Sequence, residues 1–176
     1  MRRLYIAAFS AALVFGGWTP ADQASAQVKS EDLNIAVMDD CDPSDPAWDP
    51  TGGCALRKGT VTFGEFVALL FSPLAPGGSP IGHPSWRNQP SYVSTVVGRT
   101  VRVKNWGGRA HTFTQVAEFG GGVVPVLNGT LVPAPECASA PPLPSGGTQE
   151  VSGLDAGTHK FQCCLHPWMR AVVEVN

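Results

Sequence analysis

The chain is short of charge, of histidine and of tyrosine: charged residues make up 15% of its 176, with four histidines and two tyrosines. Each shortage excludes something. Twelve Lys and Arg against fourteen Asp and Glu leave no basic patch of the kind that neutralises a phosphate backbone, so nucleic acid is not expected as a partner. Four histidines are too few for an enzyme built on several His-rich metal sites. No Cys-x-x-Cys pair is present, which removes the usual mark of a thiol oxidoreductase. No internal repeat is visible, so a solenoid or propeller is excluded. The longest apolar run, Leu4 to Trp18, is too short to span a bilayer.

Glycine and proline, by contrast, are plentiful, at 20 and 16. They punctuate the chain into short elements joined by turns. The first residues read as an export signal. Arg2-Arg3 gives a positive start, Leu4–Trp18 an apolar core, and Ala24-Ser25-Ala26 a small-residue cleavage site. Residues 1–26 are therefore expected to be removed after Ala26, with an uncleaved anchor as the competing reading. The mature 27–176 would be periplasmic or secreted, without a membrane span, and would carry a formal charge of −3. Acids crowd its first part: Glu31, Asp32, Asp39, Asp40, Asp42, Asp45 and Asp49 occur with no Lys or Arg among residues 31–49. From residue 50 onward, nine basic residues face six acids. Such a leader could steer a charged partner, although it reads more simply as a solvated loop. The acids do not match the EF-hand template, so calcium is not expected there.

Residues 27–59 read as a mostly irregular leader, broken at Asp42-Pro43-Ser44-Asp45-Pro46 and Asp49-Pro50-Thr51-Gly52-Gly53. Thr62-Phe63-Gly64-Glu65 fits a capping box and starts a short helix over about 63–71, stopped at Pro73. Residues 73–92 are rich in turns. From Tyr92 the pattern alternates: Val93, Thr95, Val97, then Val101 and Val103, then Thr112, Thr114 and Val116 predict strands. The stretch 119–147 reads as a long decorated loop, with one short strand at Val123–Leu127. Gln149–Val151, Thr158–Cys163 and Ala171–Val175 predict the closing strands. Asn128-Gly129-Thr130 matches a glycosylation acceptor, of consequence only in a suitable host.

The chemistry is concentrated at Cys163-Cys164-Leu165-His166-Pro167-Trp168-Met169. A thiolate, an imidazole and a thioether within seven residues, joined by a second imidazole from elsewhere, is the donor set of a mononuclear blue-copper centre. Soft sulfur suits Cu(I), while imidazole suits both oxidation states. His111, in Asn105-Trp106-Gly107-Gly108-Arg109-Ala110-His111-Thr112, is the candidate for the second imidazole. His83 competes for that place but follows no strand pattern. Pro167 would stiffen the loop, and Trp168 could keep water from the metal. Taken singly, a cysteine, a histidine or a methionine is usually a core or turn residue; the spacing is what favours a site.

Gly157-Thr158-His159-Lys160-Phe161-Gln162-Cys163 and the loop after it resemble the copper-loop strand of the plastocyanin/azurin family of cupredoxins, and the short Cys-x2-His-Pro-aromatic-Met loop is most similar to amicyanin. Asn105…His111-Thr112 resembles the family's first-histidine strand. The resemblance covers about 93–176. It implies an all-β Greek-key sandwich, here with an irregular, short-helix extension over 27–92. It also implies one copper ion held by His111, Cys163, His166 and Met169, and single-electron exchange with a redox partner protein by a monomer that is not an enzyme. A copper-binding or storage module using the same ligands is the alternative. A cupredoxin fold that has lost its copper is disfavoured because all four ligand types are present.

Five cysteines in an exported chain leave one thiol after disulfide pairing. If Cys163 faces the metal, Cys164 faces away, because strand neighbours point to opposite faces. Cys164 with Cys137, and Cys41 with Cys54, are the favoured pairs. Four cysteines allow three connectivities, and the sequence does not choose among them.

Overall fold

The computed structural model describes residues 33–70 and 83–176. The signal peptide expected at 1–26 and the helix stop at Pro73 lie outside the described residues.

Eight strands form two four-stranded sheets. They are β1 (Leu33–Met38), β2 (Arg87–Gln89), β3 (Tyr92–Thr95), β4 (Val101–Asn105), β5 (Thr114–Val116), β6 (Thr148–Val151), β7 (Gly157–Gln162) and β8 (Arg170–Val175). One sheet runs β2-β1-β4-β6 and the other β3-β8-β7-β5. Both are mixed. β1 lies parallel to β4, with Ile35 opposite Val103, and β3 lies parallel to β8, with Val93 opposite Val173. The remaining pairs are antiparallel. From β2 to β7 the chain passes between sheets at every connection, as the expected sandwich requires.

Alternation explains the packing. In β4, Val101, Val103 and Asn105 are buried while Arg102 is exposed. Ile35, Val37, Val101 and Val103 from one sheet share a core with Val93, Phe161, Ala171 and Val173 from the other. Phe113 stacks on Phe161 with ring centres 4.5 Å apart and 12° between planes. Such a pair adds about 0.5–1.5 kcal/mol beyond its buried area.

The expected boundary at residue 92 does not fall at a break in either sheet. β1 and β2 both come from 27–92, yet they share a sheet with β4. The leader is therefore not wholly irregular. Leu33–Met38 has an inward-facing Ile35 and Val37, a period-two pattern hidden by the acids on either side of it. The acids of 39–49 follow β1 as a loop tied back by two tryptophans. Trp48 Nε1 donates to Val61 O at 3.1 Å, and Trp86 Nε1 donates to Asp40 O at 2.7 Å. The two indoles stack 6.0 Å apart, 8° from parallel.

The capping box forms as expected. Thr62 N–H and Oγ1 both donate to Glu65 Oε2, and Glu65 N–H donates back to Thr62 Oγ1. It opens helix α1 (Phe63–Leu70). Val123–Leu127 is not a strand. Pro125–Leu127 makes a single 3-10 turn instead, because Pro125 cannot donate to a ladder and favours a helical first position.

Candidate metal centre

β4 carries the chain to one wall of the site. Asn105, its last residue, is buried, and its side chain holds the following loop in shape. Oδ1 accepts from Gly107 N–H at 2.8 Å, and Nδ2 donates to Arg109 O at 2.7 Å and Leu143 O at 3.0 Å. The loop folds around the carboxylate of Asp39, which continues the inward positions of β1. Gly108 N–H and Arg109 N–H donate to Asp39 at 2.8 and 2.9 Å. A Cβ at Gly107 would collide with that carboxylate, and one at Gly108 would come within 2.8 Å of the Ala55 backbone. His111 follows, locked to Leu143 by reciprocal backbone bonds of 3.0 and 2.7 Å.

β7 brings the opposite wall. Cys163 stands just beyond its end, and the next residues turn sharply: Met169 N–H donates to His166 O, and Cys163 N–H donates to Met169 O, both at 2.9 Å. Arg170 Nε donates to Pro167 O at 3.0 Å and closes the loop from behind. Thr112 joins the two walls. Its backbone N–H points at Cys163 Sγ, 3.3 Å away, and its Oγ1 accepts from Cys164 N–H at 2.7 Å.

The result gathers three of the four predicted ligands. Cys163 Sγ lies 3.8 Å from His111 Nδ1 and 3.6 Å from His166 Nδ1, and the two ring nitrogens are 3.2 Å apart. Ligand bonds of about 2.0 Å to nitrogen and about 2.3 Å to sulfur would spread three trigonal donors about 3.5–3.7 Å apart. The donor group thus fits a single ion without rearrangement. Met169 is fully buried in the same core cluster as Cys163, one turn of the loop from His166. His83 is not brought to the group. It is buried against α1, with Nε2 3.2 Å from Phe66 O and Nδ1 accepting from Ser85 N–H at 3.0 Å.

Electrostatics prepare the thiol as a ligand. Burial alone would push the Cys163 thiol up, but hydrogen bonds and charge from His111 and His166 outweigh it and hold the pKa at about 5. Burial likewise works against charge on His111. Asp39 and Cys163 overcome it and raise that imidazole to about 9. The Nε2 of His111 sits 2.9 Å from Asp39 Oδ2. With Nε2–H donating to the carboxylate, Nδ1 is left to face the sulfur, the orientation that a buried carboxylate imposes on a ligating histidine.

Sequence reading missed Asp39, which disappeared among the neighbouring acids. Its signal was the period-two series Ile35, Val37, Asp39, which continues the inward positions of β1 one residue past its end. The cysteines pair as favoured: Cys41 with Cys54 and Cys137 with Cys164, leaving Cys163 free.

No family model matches the chain, and no curated protein does. Among solved structures it is similar to a purple cupredoxin from Nitrosopumilus maritimus, at 18% identity over 82% of this chain and 100% of that one, with a TM-score of 0.42. It is also similar to a reduced amicyanin variant, at 23% identity over 49% of this chain and 70% of that one, with a TM-score of 0.35. A Cu(I) amicyanin variant gives 21% identity over 51% and 73%, with a TM-score of 0.37. Two mixed sheets packed face to face form a β-sandwich, in which a Cys-x2-His loop closes on a histidine that follows β4.

Proposed function

We propose that this chain is an exported one-electron carrier whose copper is held by His111, Cys163, His166 and Met169. The observation that carries the reading is the mutual placement of the two Nδ1 atoms and the Cys163 sulfur within 3.2–3.8 Å. Bound copper would supply a one-electron couple, and everything else is the work of the chain. Cys163 offers a thiolate at neutral pH and His111 is oriented by Asp39. Met169 would supply the fourth donor and adjust the potential as a weak thioether ligand does. Thr112 N–H, aimed at the sulfur, withdraws charge from it and adjusts the same potential.

The frame is stiff. Both walls are bonded to each other through Thr112, and the loop between Cys163 and Met169 is closed by its own backbone. A stiff frame keeps the donors in place in either oxidation state, so little reorganises when an electron passes. His111 and Cys163 are buried, while His166 is the half-buried member and serves as the electron port. Two disulfides support an oxidising compartment and agree with removal of residues 1–26 on export. A redox protein is the proposed acceptor, and no enzymatic turnover is proposed.

Absorption and EPR spectra of the copper-loaded 27–176 chain test the proposal. A strong thiolate-to-copper band and a reversible one-electron couple are expected. A chain that binds copper without a reversible couple would instead be a storage module, and one that binds none would end both readings.

A further inference from the structure

A hollow of about 280 Å³ lies beside His166. Five aromatic residues wall it: Trp48, Phe63, Phe66, Trp86 and Trp168. Trp86 meets the imidazole of His166 edge-on, with ring centres 5.0 Å apart, and Trp168 approaches it at 5.5 Å. Val126, which is 83% exposed, also lines the hollow and marks where it opens to solvent. Among the described residues, the polar side chains lining the hollow are those of Thr51, Arg109 and His166 besides the indoles, and no carboxylate lines it. The Arg109 guanidinium is pinned by Thr51 O at 2.8 Å and by Gly53 O, and it faces the Trp86 ring at 5.9 Å. The hollow therefore presents aromatic faces, one fixed cation and one imidazole edge.

We propose that this hollow binds a one- or two-ring hydroquinone or phenol against His166, making a small aromatic reductant the electron donor. The volume lies just below the range usual for ligand sites, about 300–1,000 Å³. That volume suits a flat molecule of one or two rings. Stacked aromatic walls favour a flat ring over an aliphatic chain. Arg109, unopposed by any acid in the lining, favours an electron-rich phenolic oxygen.

Binding depends only on the chain, whereas electron transfer rests on the carrier function proposed above. A hydroquinone held there would lose one electron to the oxidised copper centre through His166. It would lose one proton to water at the opening and leave as a semiquinone.

The test uses the metal-free protein first. Titration with 2-naphthol, followed by NMR of the indole N–H signals, is expected to give saturable shifts at Trp86 and Trp168. Val67→Trp and Leu127→Trp both fill the hollow from half-buried lining positions, and each is expected to weaken binding about ten-fold or more, about 1.4 kcal/mol. In the copper-loaded protein, Val67→Trp should slow reduction by 1,4-naphthohydroquinone by a similar factor. It should leave the absorption band and the rate with hexaammineruthenium(II) unchanged. No saturable shift in the wild type, or wild-type affinity in both variants, would overturn the site. Naphthol binding in a protein that gives no blue band would uphold the site and overturn the carrier reading alone.

Discussion

Asp39 and His111 form an ion pair sealed from solvent: Oδ2 and Nε2 are 2.9 Å apart, and the two side chains are 1% and 0% exposed. The pair joins β1, the first strand described, to the metal-facing loop after β4. It turns a residue of the acidic leader into a support for the candidate ligand. Asp39→Asn keeps one acceptor for the loop amides but removes the charge. Copper affinity is expected to fall about 10–100-fold, as when such an outer partner of a ligating histidine is lost. The reduction potential should rise, because a less basic imidazole and one fewer negative charge both disfavour Cu(II). Competition titration and voltammetry read the two effects. Unchanged values for both would remove Asp39 from the site.

His83 and His111 are both buried histidines, and their variants should separate cleanly. His111→Ala and Cys163→Ser remove donors and should abolish the blue band. His83→Ala should keep it, because its ring binds Phe66 O rather than the donor group. It removes that bond and opens a gap against Phe66, at a cost of about 1–3 kcal/mol. Spectra and urea melts on the same three samples would decide. A His83→Ala protein that lost its colour while staying folded would contradict the assignment.

The copper loop was legible because its chemistry is local: Cys163, His166 and Met169 lie on one short stretch with recognisable spacing. His111 was legible through Asn105, whose side chain shapes the loop between them. The closing strands were legible from alternation, to within a residue or two. Asp39 was not, because its importance comes from a parallel pairing of β1 with β4 that no local pattern announces. The same pairing explains why residues 33–38, read as leader, belong to the sandwich. Val123–Leu127 failed for the opposite reason: its apolar residues imitate a strand, but Pro125 and the ties of the loop to Cys164 O and Asn128 impose a turn.

Thr112 offers a way to loosen the two walls without touching a ligand. Thr112→Val keeps the shape and keeps the backbone N–H aimed at Cys163 Sγ, but it loses the acceptor for Cys164 N–H. A buried amide left without its partner costs about 1–3 kcal/mol. The midpoint of urea unfolding should fall accordingly while the copper band persists, altered in intensity or position. A stability equal to wild type would mean that Cys164 N–H finds another partner and that the bridge is dispensable.

The Cys137–Cys164 bridge fastens the long 119–147 loop directly behind the candidate thiolate. It closes a loop over a sequence separation of 27 residues. Loop-closure entropy puts its contribution at about 3–4 kcal/mol in the chain-entropy picture. A second constraint acts at the same place: Val123 N–H donates to Cys164 O at 2.8 Å, and a Cβ at Gly122 would strike that carbonyl. The double variant Cys137→Ala/Cys164→Ala should therefore unfold at lower denaturant by roughly that amount, yet still bind copper, since Cys163 and both imidazoles are untouched. Thiol counting supplies the control. The metal-free wild type, unfolded without reductant, should show a single reactive thiol, Cys163, and the double variant the same number. Three thiols in the unreduced wild type would mean that one of the two bridges does not form in the native protein.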